Sequence, residues 1–219
     1  MYFRTTISNM LEQFLQLLHD PKTFLENFAQ QYPMLIYVVV FMIIFIETGL
    51  VFFPFLPGDS LIFALGVMAA VGKMNPFIVF GLLFTAAVLG NILNNFIGRK
   101  AGDVIIKGGY IKQHHLTKTH DYFEKYGSIT IVYARFLPFV RTFAPFVAGV
   151  AKMPHSVFHI YNVIGAFLWT GLFFIIGYLL GNVEYVQNNF STIVLFIIVS
   201  TGLFAIVPIA RHYFKRNTN

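Results

Sequence analysis

No cysteine occurs anywhere in the chain, so disulfides, thiolate metal sites and thiol catalysis are excluded. Charge is scarce as well. Only 11% of the 219 residues are Asp, Glu, Lys or Arg, against about 25% in a soluble domain. Acidic residues are fewest: nine, against fifteen Lys and Arg, giving a formal charge of +6. A basic balance can point to nucleic acid. In a chain of mean hydropathy +0.71 it points instead to cytoplasmic loops, where membrane proteins concentrate Lys and Arg, and no nucleic-acid partner is expected. Tryptophan occurs once, beside 27 Phe and 11 Tyr, a balance that fits lipid-facing helices with an interfacial aromatic belt. No cleavable signal peptide is expected, because the first 32 residues lack a continuous apolar core behind a basic start.

What is present is long apolar sequence. A spanning helix needs about 20 predominantly apolar residues, and four stretches qualify: Met34–Phe53, Pro76–Ile97, Phe158–Leu180 and Ser191–Ile209. Two more are awkward. Leu61–Val71 is too short to span and follows Pro54-Phe-Leu-Pro57-Gly58-Asp59. Ile129–Ala151 is long enough but holds Arg135, Pro138, Arg141 and Pro145. Proline removes a backbone donor and kinks helices, and broken backbone at membrane depth survives only when shielded by protein or facing a polar cavity. Both stretches are therefore expected to be re-entrant hairpins, shaped by Pro54, Pro57, Gly58, Pro138, Pro145 and Gly149. Ile7–Leu18 places apolar residues at helical intervals and is read as an amphipathic helix on the membrane surface.

Charge sets the expected orientation. The basic stretch Gly98–Ser128 and the tail bearing Arg211, Lys215 and Arg216 belong in the cytoplasm, while Gly181–Phe190, with no Lys or Arg, faces outward. By parity the first hairpin then dips from outside and the second from inside, with both termini cytoplasmic; Lys73 on the outer side argues against the scheme. An internal repeat agrees with it: Pro54 … Gly66 … Gly98-x-x-x-Gly102 is echoed by Pro138 … Gly149 … Gly177-x-x-x-Gly181. The expected fold class is an all-α integral membrane protein with about four spanning helices and two opposed re-entrant hairpins forming an inverted repeat. Its parts are an interfacial segment 1–32, a membrane domain 33–182, and a final span with a basic tail, 183–219. In such architectures the substrate site lies near the midplane between the repeats.

Four ionisable residues fall within the apolar regions: Glu47, Asp59, Arg135 and Arg141. Each costs roughly 2.5–3.5 kcal/mol at a helix centre, so a function or a partner is the default explanation. Two guanidiniums in a low-dielectric pocket suit a phosphate, which they grip bidentately. The two carboxylates could carry a proton through a transport cycle, or neutralise an arginine until phosphate displaces them. The plain alternative is a set of two structural Arg–carboxylate pairs pinning the hairpins. Asn91, Asn94 and Asn95 either line the cavity or bond across helices. The paired glycines Gly98/Gly102 and Gly177/Gly181 are expected to permit close helix packing. His114, His115, His120, His155 and His159 lack nearby ligands at metal spacing, and neither a metal nor another cofactor is expected. Leu116 and Phe123 share one face and Lys118 and Lys125 another, which fits a short helix on anionic headgroups.

The runs Glu47-Thr-Gly49 … Pro54-Phe-Leu-Pro57-Gly58-Asp59-Ser60-Leu61 and Ala134-Arg135-Phe136-Leu137-Pro138-Phe139-Val140-Arg141-Thr142-Phe143-Ala144-Pro145-Phe146-Val147-Ala148-Gly149 resemble the two signatures of the DedA family, also called the SNARE-associated or VTT-domain family. Phe96-Ile97-Gly98-Arg99 and Asn162-x-x-Gly165-Ala166-x-x-Trp169 fit it too, so the resemblance covers about residues 35–182. It implies a multi-pass bacterial inner-membrane protein whose relatives are implicated in returning undecaprenyl phosphate across the membrane, or in scrambling phospholipids, with dependence on the proton-motive force. By position Glu47 and Asp59 match the family's essential acids, and Arg135 and Arg141 its essential arginines. The expected partners are the membrane and a polyprenyl phosphate or phospholipid, and a homo-oligomer is compatible with all of this. Competing expectations are a proton-coupled small-molecule or ion exchanger, a passive assembly factor, and a lipid-phosphate phosphatase. The last needs a nucleophile with a positioned base, which the four intramembrane charges do not supply, so no enzyme is expected.

Overall fold

The computed structural model describes residues 31–32, 34–50, 58–107, 129–137, 140–197 and 199–200, without the side chains of 103–107. The expected surface helix at 7–18, the prolines at 54, 57 and 138, the basic stretch at 108–128 and the tail beyond 200 lie outside them. Every regular element among the described residues is an α-helix: α1 (Leu35–Gly49), α2 (Gly58–Ala70), α3 (Pro76–Lys107), α4 (Thr130–Ala134), α5 (Val140–Val150), α6 (His155–Leu180) and α7 (Glu184–Asn188). Helical backbone resumes at 190–197 and 199–200.

Two of the expected spans are long and apolar enough to cross a bilayer, Pro76–Gly102 within α3 and His155–Leu180. The expected span 34–53 is helical over Leu35–Gly49, with 51–53 outside the described residues. Burial differs from that of a water-soluble bundle. α6 exposes Ile160, Phe167, Ile175 and Leu179 while burying Asn162 and Thr170, and elsewhere Glu47, Asp59, Asn91, Asn94, Asn95, Arg135 and Arg141 are buried. Polar groups inside and apolar groups outside minimise free energy in lipid, not in water.

Local sequence accounts for the element ends. Pro76 opens α3 at the first helical position, where a missing N–H costs nothing. Asn75 caps it, its Oδ1 accepting from the backbone N–H of Phe77 (3.0 Å) and Ile78 (3.2 Å). α2 and α5 end in the same way. Gly72 (φ 75°) and Lys152 (φ 55°) take the left-handed conformation. Their N–H groups bond back to Ala69 and Gly149, and the next N–H groups, of Lys73 and Met153, reach Met68 and Ala148.

One expectation needs correcting. Pro145 does not interrupt its segment; it lies inside α5. One proline removes a single ladder bond, and its own carbonyl is used by Asn95 Nδ2 at 3.0 Å. The interruption falls between Ala134 and Val140 instead, where Arg135, Phe136 and Leu137 bond three residues back and tighten the chain out of α4. Asp59 is in the first turn of α2, where a carboxylate complements the helix dipole.

The glycines of the sequence repeat pair crosswise. On α2, Gly66 lies against the backbone of Phe174, Gly177 and Tyr178 of α6; on α5, Gly149 lies against that of Asn95 and Arg99 of α3. Reciprocally, Gly177 faces Phe63 and Gly181 faces Val67, while Gly98 faces Phe146 and Gly102 faces Val150. Each short helix of one half thus crosses the long helix of the other at the same glycine positions. A methyl at Gly66 would lie 3.0 Å from Tyr178 N, and one at Gly149 2.9 Å from Arg99 N. Backbone cannot give way as a side-chain tip can. Gly66→Ala and Gly149→Ala are therefore each expected to destabilise by about 1–3 kcal/mol, by similar amounts, as melting of the detergent-solubilised protein would report. A large cost at one glycine and none at the other would show that the two crossings are not equivalent.

Candidate functional site

The four buried charges meet at the centre of α1, α2, α5 and α6, but not as two separate pairs. Arg141, on the first turn of α5, donates through Nη1 to Asp59 Oδ1 at 2.7 Å and through Nη2 to Glu47 Oε1. One guanidinium therefore joins both acids across 82 and 94 residues of chain. Arg135 pairs with neither. It donates through Nη2 to Asn162 Oδ1 at 2.6 Å and to Ala87 O at 3.2 Å, both neutral acceptors. In place of the alternative of two Arg–carboxylate pairs, one arginine takes two carboxylates and the other takes none among the described residues.

Glu47 reaches Arg141 because Gly58 lets it. A Cβ on residue 58 would fall onto the Glu47 carboxylate, 2.7 Å from Cδ and 2.9 Å from Oε1. Gly58, the first residue of α2, thus meets a space requirement, and Gly149 seats α5, which carries Arg141.

Trp169, the only tryptophan, lies between the arginines. Its Nε1 donates to Asp59 Oδ1 at 2.8 Å, and its ring centroid is 5.5 Å from the Arg141 guanidinium carbon and 6.0 Å from that of Arg135. Those distances allow cation–π attraction to both. Asp59 Oδ1 consequently accepts two bonds, one from Arg141 and one from Trp169. Asn162, besides receiving Arg135, donates through Nδ2 to Val88 O at 3.1 Å. Gly165, one turn on, leaves room for Arg135, since a Cβ there would sit 3.1 Å from its Cδ. Asn162, Gly165 and Trp169 share the inner face of α6 at intervals of three and four residues.

The asparagines of α3 divide between the two roles left open for them. Asn94 Nδ2 donates to Thr48 O (3.1 Å) and Thr142 O (2.8 Å), tying α1 and α5 to α3. Asn95 binds Pro145 O and accepts from Arg99 Nε at 3.0 Å. Asn91 lines a small cavity with Thr48, Arg135, Arg141 and Trp169, with room for about one water. Gly98, Gly102, Gly177 and Gly181 all lie at close helix contacts. His155 and His159 stack with centroids 6.0 Å apart, and no group of three His, Asp or Glu among the described residues could hold a metal ion.

Charge alone did not single out Thr48; Asn162 and Trp169 entered only through the family resemblance, and Asn91 as one of three asparagines left between two roles. The available signal was the 3–4 spacing of Asn162, Gly165 and Trp169 in an otherwise apolar span. Chemically, the arrangement offers two buried cations, one paired with both carboxylates and one held by neutral acceptors.

The VTT domain model matches residues 56–179, which include Asp59, Arg135, Arg141 and Trp169. The chain is 42% identical over 193 residues to Protein DedA of Escherichia coli, covering 86% of this chain and 88% of that one. It is 41% identical over 184 residues to an uncharacterized membrane protein of Mycobacterium tuberculosis, covering 81% and 80%. With inner membrane protein YghB of Escherichia coli it shares 32% over 168 residues, covering 75% and 76%. No solved structure matches. With a family model over more than half its length and these relatives, the chain belongs to the VTT-domain (DedA) family of membrane proteins.

Proposed function

We propose that this protein moves lipid phosphates across a bacterial inner membrane, with a polyprenyl phosphate such as undecaprenyl phosphate as its cargo, and that it catalyses no covalent chemistry. What carries this reading is the unequal pairing of the arginines. Arg135 is buried against neutral acceptors, an arrangement with little to recommend it for stability alone and much for binding an anion. Arg141 is held by carboxylates that stand in for a phosphate's oxygens.

The cavity beside the arginines is too small for a headgroup, so cargo enters as Glu47 and Asp59 withdraw from Arg141. Proton uptake by an acid would release it. The two glycine crossings are the parts on which alternating access would turn. In this reading α2 and α4–α5 belong to hairpins dipping from opposite faces, both termini are cytoplasmic, and the repeats rock about a fixed midplane site.

The test is reconstitution into liposomes with a headgroup-accessibility assay, comparing labelled polyprenyl phosphate with phosphatidylethanolamine. Polyprenyl phosphate is expected to cross faster, and Arg135→Lys, which keeps charge but loses the planar fork, to lower its rate about tenfold or more. Equal rates for both lipids would mark a non-selective scramblase. No transbilayer movement of either would leave the charged cluster a structural device of an assembly factor.

A further inference from the structure

We propose that the cavity between α1, α3, α5 and α6 is a recess for a single anionic oxygen of a phosphate group, and that Asn91 is one of its ligands. This rests on the transport reading above but makes a separate claim about one residue and one atom-sized site.

The cavity is lined by Thr48, Asn91, Arg135, Arg141 and Trp169. Three polar atoms of these residues are buried with no hydrogen-bond partner among the described residues: Asn91 Nδ2, Arg135 Nε and Arg141 Nε. All three are N–H donors. Leaving a buried donor unpaired is costly, and native structures rarely do it without a functional cause. Three orphan donors on residues that line one cavity, with Arg141's Nη atoms already committed to Glu47 and Asp59, call for an acceptor. The size of the cavity restricts that acceptor to about one oxygen.

A phosphate satisfies both conditions if one non-bridging oxygen enters and the rest of the headgroup stays on the open side. The shared chemistry is a phosphate oxygen, which a lipid headgroup or free phosphate could supply. Asn91 is suited to contribute here. Its amide donates without adding charge, and the residue is 2% exposed. Asn94 and Asn95, on the same helix, spend their amide donors on backbone carbonyls. Asn91 alone of the three has its donor unspent.

Trp169 makes the test direct. It is the chain's single tryptophan and lines the recess, so its emission reports occupancy in the full-length protein without labelling. Inorganic phosphate, octyl phosphate and octanol would be titrated into detergent-solubilised wild type, Asn91→Ala and Asn91→Asp, with melting recorded for each. Wild type is expected to respond to octyl phosphate and, more weakly, to inorganic phosphate, but not to octanol. Asn91→Ala should weaken binding about tenfold, the loss of one hydrogen bond to a charged group, while melting close to wild type. Asn91→Asp puts a carboxylate beside the anion and should abolish the response while pairing with the arginines.

Wild-type affinity retained in both variants would overturn the assignment of Asn91 and leave lipid transport intact. Phosphate binding that depends on Asn91, in a protein that moves no lipid, would uphold the recess and remove the transport reading. An unresponsive wild type would refute the recess whatever the variants do. The wild-type titration therefore decides even if a variant fails to fold.

Discussion

Arg141→Ala is expected to destabilise the protein by about 3–5 kcal/mol, the cost of breaking a buried ion pair from one side. The substitution leaves Glu47 (0% exposed) and Asp59 (7% exposed) facing each other with no cation between them. Expression should fall and the detergent melting temperature should drop by many degrees. Arg141→Lys should be intermediate, because a single ammonium lacks the fork that reaches both acids. The informative control is the triple variant Arg141→Met, Glu47→Gln, Asp59→Asn. Removing a whole buried charge set is often neutral or stabilising, so melting should recover while lipid-phosphate flux stays absent. If Arg141→Ala melts like wild type, the cluster does not hold α1, α2 and α5 together.

Asp59→Asn and Glu47→Gln are expected to abolish flux driven by a pH gradient while leaving lipid-phosphate binding in place. An amide keeps the size of the carboxylate and an oxygen acceptor but cannot titrate. In Asp59→Asn the amide oxygen could still accept from Arg141 Nη1 and Trp169 Nε1, the two bonds that now converge on Asp59 Oδ1. Expression, binding and gradient-driven flux should be measured on the same preparations. Stable, binding-competent variants with full gradient-driven flux would remove the proton-carrier role from both acids. Collapse of expression in both would mean that the charges hold the fold and nothing more. Flux indifferent to the gradient in wild type as well would mark passive movement down the lipid's own gradient.

The ionisable residues were legible in the sequence because lipid makes them expensive. A charge within an apolar run is a costly exception, and Glu47, Asp59, Arg135 and Arg141 all declared themselves that way. The glycine landmarks were legible for a related reason: recurring small residues in long apolar helices mark close approach, and Gly66, Gly98, Gly149 and Gly177 are found where backbones touch. Less was visible where propensity and context compete. Pro145 reads as a breaker, yet α5 absorbs it, since the loss of one ladder bond is small beside the packing of that helix on α3.

Pairing was not legible at all. Nothing in the chain's order says that Arg141 takes both acids and Arg135 takes none, because those contacts join residues 82 and 94 positions apart. Asn91 was legible only as one of three asparagines with two open roles, and Asn162 and Trp169 only through the family resemblance, because neutral polar side chains are cheap enough in a membrane helix to have many uses. Composition and apolar run length by themselves determined a helical membrane protein with four charges inside it, since lipid penalises every uncompensated polar group along the chain. Only the tertiary structure decided which arginine is neutralised and which polar atoms surround the cavity, since hydrogen bonds depend on distance and direction in space, and sequence carries neither.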